Sequence, residues 1–223
     1  MNKKQEIIGM IETIAGKYNS YTVFCDWVKC CAIMVQNSLY PFSHDEVWEE
    51  REHQWSETMR KYSSKEQQMF VKMFALLTEA MEEEMTDVLG QIFMEGDMGS
   101  KMNGQFFTPF HVSEMVARQA LRNSITPFDG KMTKLNEPSA GGGGFVIAAA
   151  KVMKENGINY HRYLDVVAQD LDWTAVYMCY LQLSLYGIKG IVVQGNSLQD
   201  PIKPKKGSNR HIMVTPAKMG VMV

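Results

Sequence analysis

Lys134-Leu135-Asn136-Glu137-Pro138-Ser139-Ala140-Gly141-Gly142-Gly143-Gly144-Phe145-Val146-Ile147-Ala148-Ala149-Ala150-Lys151 decides the fold of this 223-residue chain. Lys134–Pro138 reads as a short strand and Gly144–Glu155 as an alanine-rich helix, with a run of glycines between them. Glycine lets the backbone turn sharply and approach a ligand closely, and the helix N-terminus beyond it offers N–H groups that no earlier turn satisfies. Such a run is a cofactor cradle or a plain tight turn; taken alone it does not separate the two. Glu137-Pro138 favours the cradle, because a carboxylate at the strand end can accept hydrogen bonds from a cationic or hydroxyl-bearing ligand.

Downstream, Tyr163–Gln169 reads as a buried strand, Trp173–Tyr186 as a helix, Gly190–Val193 as a third strand and Ile212–Val214 as a fourth. Upstream, Ser113–Arg122 reads as a helix. Strands alternating with helices over short links predict right-handed βαβ units on a parallel sheet, with helices on its faces. Val166-Val167-Ala168-Gln169-Asp170 puts an acid at the end of the second strand, where nucleotide-binding α/β folds hold a ribose diol. Asp170 could equally cap the helix that starts near Asp172 or Trp173. The third strand runs into Gln194-Gly195-Asn196-Ser197-Leu198, whose Asn196 can both donate to and accept from an adenine edge.

Before residue 95 the pattern is different. Apolar residues recur at three- and four-residue intervals, and Pro41 is the one proline between Gln5 and Glu95. Helices are expected over Gln5–Lys17, Ser20–Leu39, Asp45–Tyr62, Ser64–Glu84 and Thr86–Glu95, with Ser43 and Ser64 as N-caps. From Asp45 to Glu84 eleven acidic residues face five basic ones, which reads as a solvated helical face or as a surface that repels DNA or docks a basic partner. Gly, Asp, Ser, Asn and Lys crowd Glu95–Gly104, so the boundary is placed there: a helical region over 1–100 and an α/β domain over 101–223.

Composition narrows the function. With 45% apolar and 22% charged residues the chain has an ordinary globular balance and can bury a core. No run of about 18 apolar residues and no signal-peptide pattern is found, so the expected location is the cytoplasm, away from membranes. Cys25, Cys30, Cys31 and Cys179 form no C-x-x-C pair and have no histidine at ligand spacing, so free buried thiols and no metal are expected. A formal charge of -2 means that any grip on DNA comes from a local patch, a small footprint or a partner chain. Lys203-Pro204-Lys205-Lys206-Gly207-Ser208-Asn209-Arg210-His211 is such a basic stretch, read as a solvated loop or a phosphate-contacting or docking arm. The eighteen methionines read as adaptable core filler.

Four ordered segments carry a resemblance: Gly104-Gln105-Phe106-Phe107-Thr108-Pro109, the run from Glu137 to Phe145, Gln169-Asp170, and Gly195-Asn196-Ser197-Leu198. Together they resemble the N6-adenine DNA methyltransferases, among them the modification subunit of type I restriction systems and its short phage and mobile-element relatives. Asp87-Val88-Leu89-Gly90-Gln91-Ile92-Phe93-Met94-Glu95 is similar to the helix before the Phe-Thr-Pro element in that family, so the likeness runs from about Asp87 to Asn196.

The resemblance implies a Rossmann-like S-adenosyl-L-methionine-dependent methyltransferase sheet, truncated here, behind an N-terminal helical region. Phe107, Thr108 and Pro109 would contact the cofactor from outside the sheet. Glu137, Pro138 and the backbone from Ser139 through Gly141 to Gly143 would face its methionine part. Asp170 would take the ribose hydroxyls, Leu171 would line the adenine, and Asn196 would reach its amino edge, where the family more often has Asp. After the fourth strand the family carries Asn/Asp-Pro-Pro-Tyr/Phe, which holds the amine of a flipped-out base. Here Met213-Val214-Thr215-Pro216-Ala217-Lys218 keeps one proline, so Thr215 and Pro216 mark a degenerate catalytic position. The function implied by the resemblance is that of a DNA adenine-N6 methyltransferase, or of its cofactor-binding part completed by a partner chain that supplies target recognition. The alternative is a catalytically inactive cofactor-binding module of a restriction-modification or mobile-element system. An NAD- or nucleotide-binding enzyme would also use a glycine run and a strand-end acid, but leaves Phe107-Thr108-Pro109 unexplained.

Overall fold

The structure is a computed structural model that describes residues 2–42, 44–98, 107–125, 128–201 and 212–221. The fold divides into two compact units: Met1–Glu84 with Val88–Phe106, and Met85–Asp87 with Phe107–Val223. Three residues from the helical half, Met85–Asp87, therefore belong to the second unit.

Among the described residues the first unit is a set of five helices: α1 (Lys3–Ile14), α2 (Ser20–Ser38), α3 (Glu46–Met59), α4 (Ser64–Glu83) and α5 (Val88–Glu95). Their ends follow cap chemistry. Asn2, Asn19, Asp45 and Ser63 each accept a backbone N–H of the first turn, and Ser63 completes a capping box with Glu66. The caps of α3 and α4 are thus Asp45 and Ser63 rather than Ser43 and Ser64, and Ser43 lies outside the described residues. Ile7, Ile11, Phe24, Trp27, Leu77, Ile92 and Phe93 form the core, with Phe24 edge-on to Phe93 at 5.4 Å between ring centroids. α3 buries a single residue, Thr58, so much of the acidic run is a solvated helical surface.

The second unit begins with α6 (Phe110–Ile125), which starts three residues before Ser113 because Pro109 supplies the carbonyl that opens its first turn. Next come β1 (Thr133–Glu137), α7 (Gly144–Glu155), a short α8 (Tyr160–Tyr163), β2 (Leu164–Asp170), α9 (Trp173–Leu185), β3 (Lys189–Gln194) and β4 (Ile212–Val214). The sequence reading missed α8, a single turn too short to show a helical period.

The sheet runs in the order β1-β2-β3-β4. The first three strands are parallel, and Leu135↔Val166 and Val166↔Gly190 set their register. α9 packs on β2 and β3, α7 packs on α9, and α6 on α7, so these helices gather on one side of the sheet. Leu164, Val166, Ala168 and Val192 are completely buried beneath them. On the other side Val167, Ile191, Ile212 and Val214 are only half-buried.

The expectation of an all-parallel sheet fails at β4, which pairs with β3 antiparallel, Ile191↔Val214 and Val193↔Ile212. A parallel return would need a crossover back along the sheet, whereas a strand that starts where β3 ends can simply run down beside it. Thr215, fully buried, fastens the far end. Its Oγ1 donates to the Ile188 carbonyl at 2.8 Å and accepts from the Gly190 N–H at 3.0 Å, while its own N–H donates to the Gly190 carbonyl. Replacing Thr215 with Val keeps the volume but leaves the buried Gly190 N–H without its side-chain acceptor. Thr215→Val is therefore expected to cost about 2 kcal/mol in urea unfolding of the whole chain.

Candidate functional site

β1, β2 and β3 end in Glu137, Asp170 and Gln194 at one edge of the sheet, with Asp170 opposite Gln194 and Glu137 opposite Ala168, two residues before Asp170. The glycine turn crosses this edge. Gly141 and Gly143 have φ of 52° and 93°, a left-handed backbone that side chains disfavour. At Gly143 space is also short: a Cβ would lie 3.1 Å from Leu183 Cδ1 and 3.2 Å from Cys179 Sγ. Cys179 is buried there, which pushes its thiol pKa far up and makes it a small apolar neighbour rather than a nucleophile.

The turn is tied to β2. The Gly141 N–H donates to Asp170 Oδ2 at 2.8 Å, the Asp172 N–H donates to Asp170 Oδ1 at 3.0 Å, and the Ala140 N–H donates to the Gln169 carbonyl. Asp170 does not cap α9; Asp172 does, accepting from the Ala175 N–H at 2.9 Å. A carboxylate has about four acceptor positions, so Asp170 keeps capacity for a ligand after these two bonds. Glu137 accepts from the Ser139 N–H at 3.1 Å. Burial, offset in part by that bond and aided by the charge of Asp170, raises its pKa above the ordinary carboxylate value. The strand ends therefore hold two neighbouring carboxylates, one of them short of compensation. A cation placed there would relieve it.

Phe107 lies over the turn, its Cδ1 3.3 Å from where a Gly141 Cβ would stand. Thr108, Pro109, Pro138 and Ser139 are exposed. Leu171, beside Asp170, leaves 64% of its surface exposed. Asn196 follows β3, where the Gly195 N–H donates to the Asp170 carbonyl at 2.8 Å, but its Oδ1 already accepts the Leu198 and Gln199 N–H groups, leaving its amide nitrogen for other use. Gly104, Gln105, Phe106 and the basic stretch 203–211 lie outside the described residues.

Thr215 and Pro216 are not part of this arrangement. Because β4 runs antiparallel, its end lies beside Ile188 and Gly190 at the start of β3, the opposite end of the sheet from the glycine turn. The two residues expected to mark a degenerate catalytic position anchor a strand here, and Pro216 opens a single 3-10 turn that ends at Met219.

The sequence profile of the N-6 DNA Methylase family matches residues 84–217, more than half of the chain. The chain belongs to that family. A curated relative, the methylase subunit of the type I restriction enzyme MjaIX of Methanocaldococcus jannaschii, is 23% identical over 135 residues. The match takes in 58% of this chain and 23% of that subunit, so the chain spans about a quarter of the relative's length. Among solved structures, a class I S-adenosylmethionine-dependent methyltransferase of Listeria monocytogenes superposes with a TM-score of 0.52 at 10% identity, covering 88% of this chain and 54% of that one. At that identity the likeness is one of fold: a methyltransferase-like mixed α/β domain with a small sheet. Among the described residues no helix is long and apolar enough to cross a membrane.

The sequence reading missed a group beneath the turn. Asp87, quoted only for its likeness to a family helix, is buried under Gly142 and Gly144, and Gln182 from α9 bonds both Asp87 and the Gly142 carbonyl. A glutamine among the mostly apolar residues of α9 was the available signal.

Two substitutions probe the stability of this edge. Gly143→Ala combines a left-handed backbone with a Cβ that has no room, and is expected to cost about 1–3 kcal/mol in urea unfolding. Glu137→Gln removes a carboxylate whose ionised form burial disfavours in the folded chain but not in the unfolded one. The variant should unfold at higher urea than the parent at pH 7, and the gain should vanish below pH 4.5, the ordinary carboxylate value, where both forms of the parent take up the proton.

Proposed function

We propose that this chain is the S-adenosyl-L-methionine-binding part of an adenine-N6 DNA methyltransferase of the restriction-modification kind, and that another chain supplies target recognition and most of the DNA contact. The pair Glu137 and Asp170 beside the Gly141–Gly144 turn carries the reading. A ligand with a cationic amino acid end and a ribose diol matches that pair, and the family membership and the methyltransferase-like fold point the same way.

In this reading the cofactor brings a methyl group on a positively charged sulfur, already poised to leave. The protein's part is alignment rather than acid-base chemistry. Glu137 holds the ammonium end, and the backbone of Ser139 to Gly143, with Pro138 ahead of it, shapes the seat. Asp170 uses its remaining acceptor positions for the ribose hydroxyls. Leu171 covers one adenine face, and Asn196 presents its free amide N–H groups to the adenine edge. Phe107, with Thr108 and Pro109 after it, closes the outer side.

The direction of β4 favours the non-catalytic form of this reading. With Thr215 and Pro216 at the far end of the sheet, the described residues of β4 and the turn after it do not reach the glycine turn. The chain then binds the cofactor, and methyl transfer needs residues from elsewhere.

Calorimetric titration of the purified chain with S-adenosyl-L-methionine tests the site. Saturable binding is expected, weakened in Asp170→Ala by about 1–3 kcal/mol, or roughly 5- to 150-fold. Affinity should fall as pH drops toward the raised pKa of Glu137, because protonation removes the charge that attracts the ammonium group, and Glu137→Gln should lose that dependence. No saturable binding at millimolar cofactor overturns the proposal. Transfer of labelled methyl groups to duplex DNA by the chain alone would overturn its non-catalytic form.

A further inference from the structure

A three-residue strap, Met85–Asp87, lies in the second unit although it is 57 residues upstream of Gly144 in the chain. Two side chains on one face of the α9 region, four residues apart, hold it. The Tyr186 hydroxyl accepts from the Thr86 N–H at 3.0 Å and donates to the Thr86 carbonyl at 2.8 Å. Gln182 Nε2 donates to Asp87 Oδ1 at 2.8 Å and to the Gly142 carbonyl at 2.8 Å. Thr86 and Asp87 are each 4% exposed, and Gln182 is wholly buried. Tyr186 is itself seated, since its carbonyl accepts from the Tyr160 hydroxyl at 3.1 Å.

This clamp aims a carboxylate at the underside of the glycine turn. A Cβ on Gly144 would stand 3.1 Å from Asp87 Oδ2, and one on Gly142 would stand 3.5 Å from Oδ1. Gly144 opens α7, whose N-cap, Gly143, has no side chain to satisfy the first-turn N–H groups. A buried negative charge beside that helix start suits the positive end of its dipole. It also accounts for glycine at 144, where φ alone does not demand it, whereas at 142 the nearest atom to a Cβ would be Met178 Cε at 3.1 Å.

We infer that Asp87 is a positioning residue for the cofactor seat: clamped by Tyr186 and Gln182, it holds the Gly141–Gly144 backbone in its ligand-ready shape without touching the ligand. The inference rests on the cofactor reading of the proposed function. Asp87→Asn keeps the shape but loses the charge and turns an N–H₂ group toward a helix start that already presents donors. Tyr186→Phe removes two hydrogen bonds from the Thr86 backbone and so loosens the hold on Asp87 at a distance.

The full-length chain and its Asp87→Asn, Tyr186→Phe and doubly substituted variants are compared by calorimetric titration with S-adenosyl-L-methionine and, without ligand, by amide hydrogen exchange over residues 140–147. Each single variant is expected to bind on the order of tenfold more weakly and to exchange faster at 140–147 than the parent. The double variant should bind no worse than Asp87→Asn, because both changes act through one carboxylate. A merely stabilising role would lower the unfolding midpoint while leaving the affinity of the folded chain unchanged. Parent-like affinity in Asp87→Asn overturns the inference and leaves the cofactor reading standing. Independent, additive losses from the two changes overturn it as well. Absence of binding by the parent chain, with faster exchange in the variants, overturns the cofactor reading and this inference with it, leaving the clamp as scaffold.

Discussion

A turn built from Gly141 to Gly144 has to hold a left-handed backbone at two positions and satisfy the N–H groups at the start of α7. Without side chains of its own it relies on neighbours. Asp170 binds it at the strand edge, through the Gly141 N–H. Asp87 and Gln182 support it from below, through the Gly142 carbonyl and the space beside Gly144. Shifting either carboxylate would change where the backbone stands, and with it the relation of Glu137, Asp170 and Phe107 to anything bound there.

The electrostatics of this edge run in one direction. Glu137 is ionised with difficulty because it is half-buried and close to Asp170. A neutral side chain would avoid that cost, and the proposed cationic ligand would offset it. At the other end of the sheet the logic is purely structural: the hydroxyl and backbone of Thr215 bond Ile188 and Gly190, and Lys218 Nζ meets Asp165 Oδ1 at 2.5 Å. The antiparallel direction of β4 separates these two ends, and with them the proposed cofactor seat from strand anchoring.

Much of the second unit was legible because its signals are local. The bounds of α7 and β4 match the reading from sequence, since a glycine run, an alanine-rich helix and a short apolar strand each announce themselves within a few residues. The first unit was legible for the same reason, with cap positions shifted by one or two residues, as Asp45 and Ser63 show. The direction of β4 was not legible. Ile212-Met213-Val214 pairs equally well either way round, so the sequence alone did not say at which end of the sheet Thr215 and Pro216 stand. Asp87 was missed because its partners are 55 and 95 residues away, at Gly142 and Gln182.

The amino-acid sequence by itself determined the alternation of strand and helix, the glycine turn and the acids that end β1 and β2, because backbone preference and side-chain period act over one or two turns of chain. It also carried the family membership, through four segments in a characteristic order. Tertiary structure alone decided which face of the sheet the helices cover, which way β4 runs and which buried carboxylate lies under the turn. Those outcomes depend on which distant groups can satisfy a buried N–H or carbonyl at the same time, and no local pattern records such a pairing.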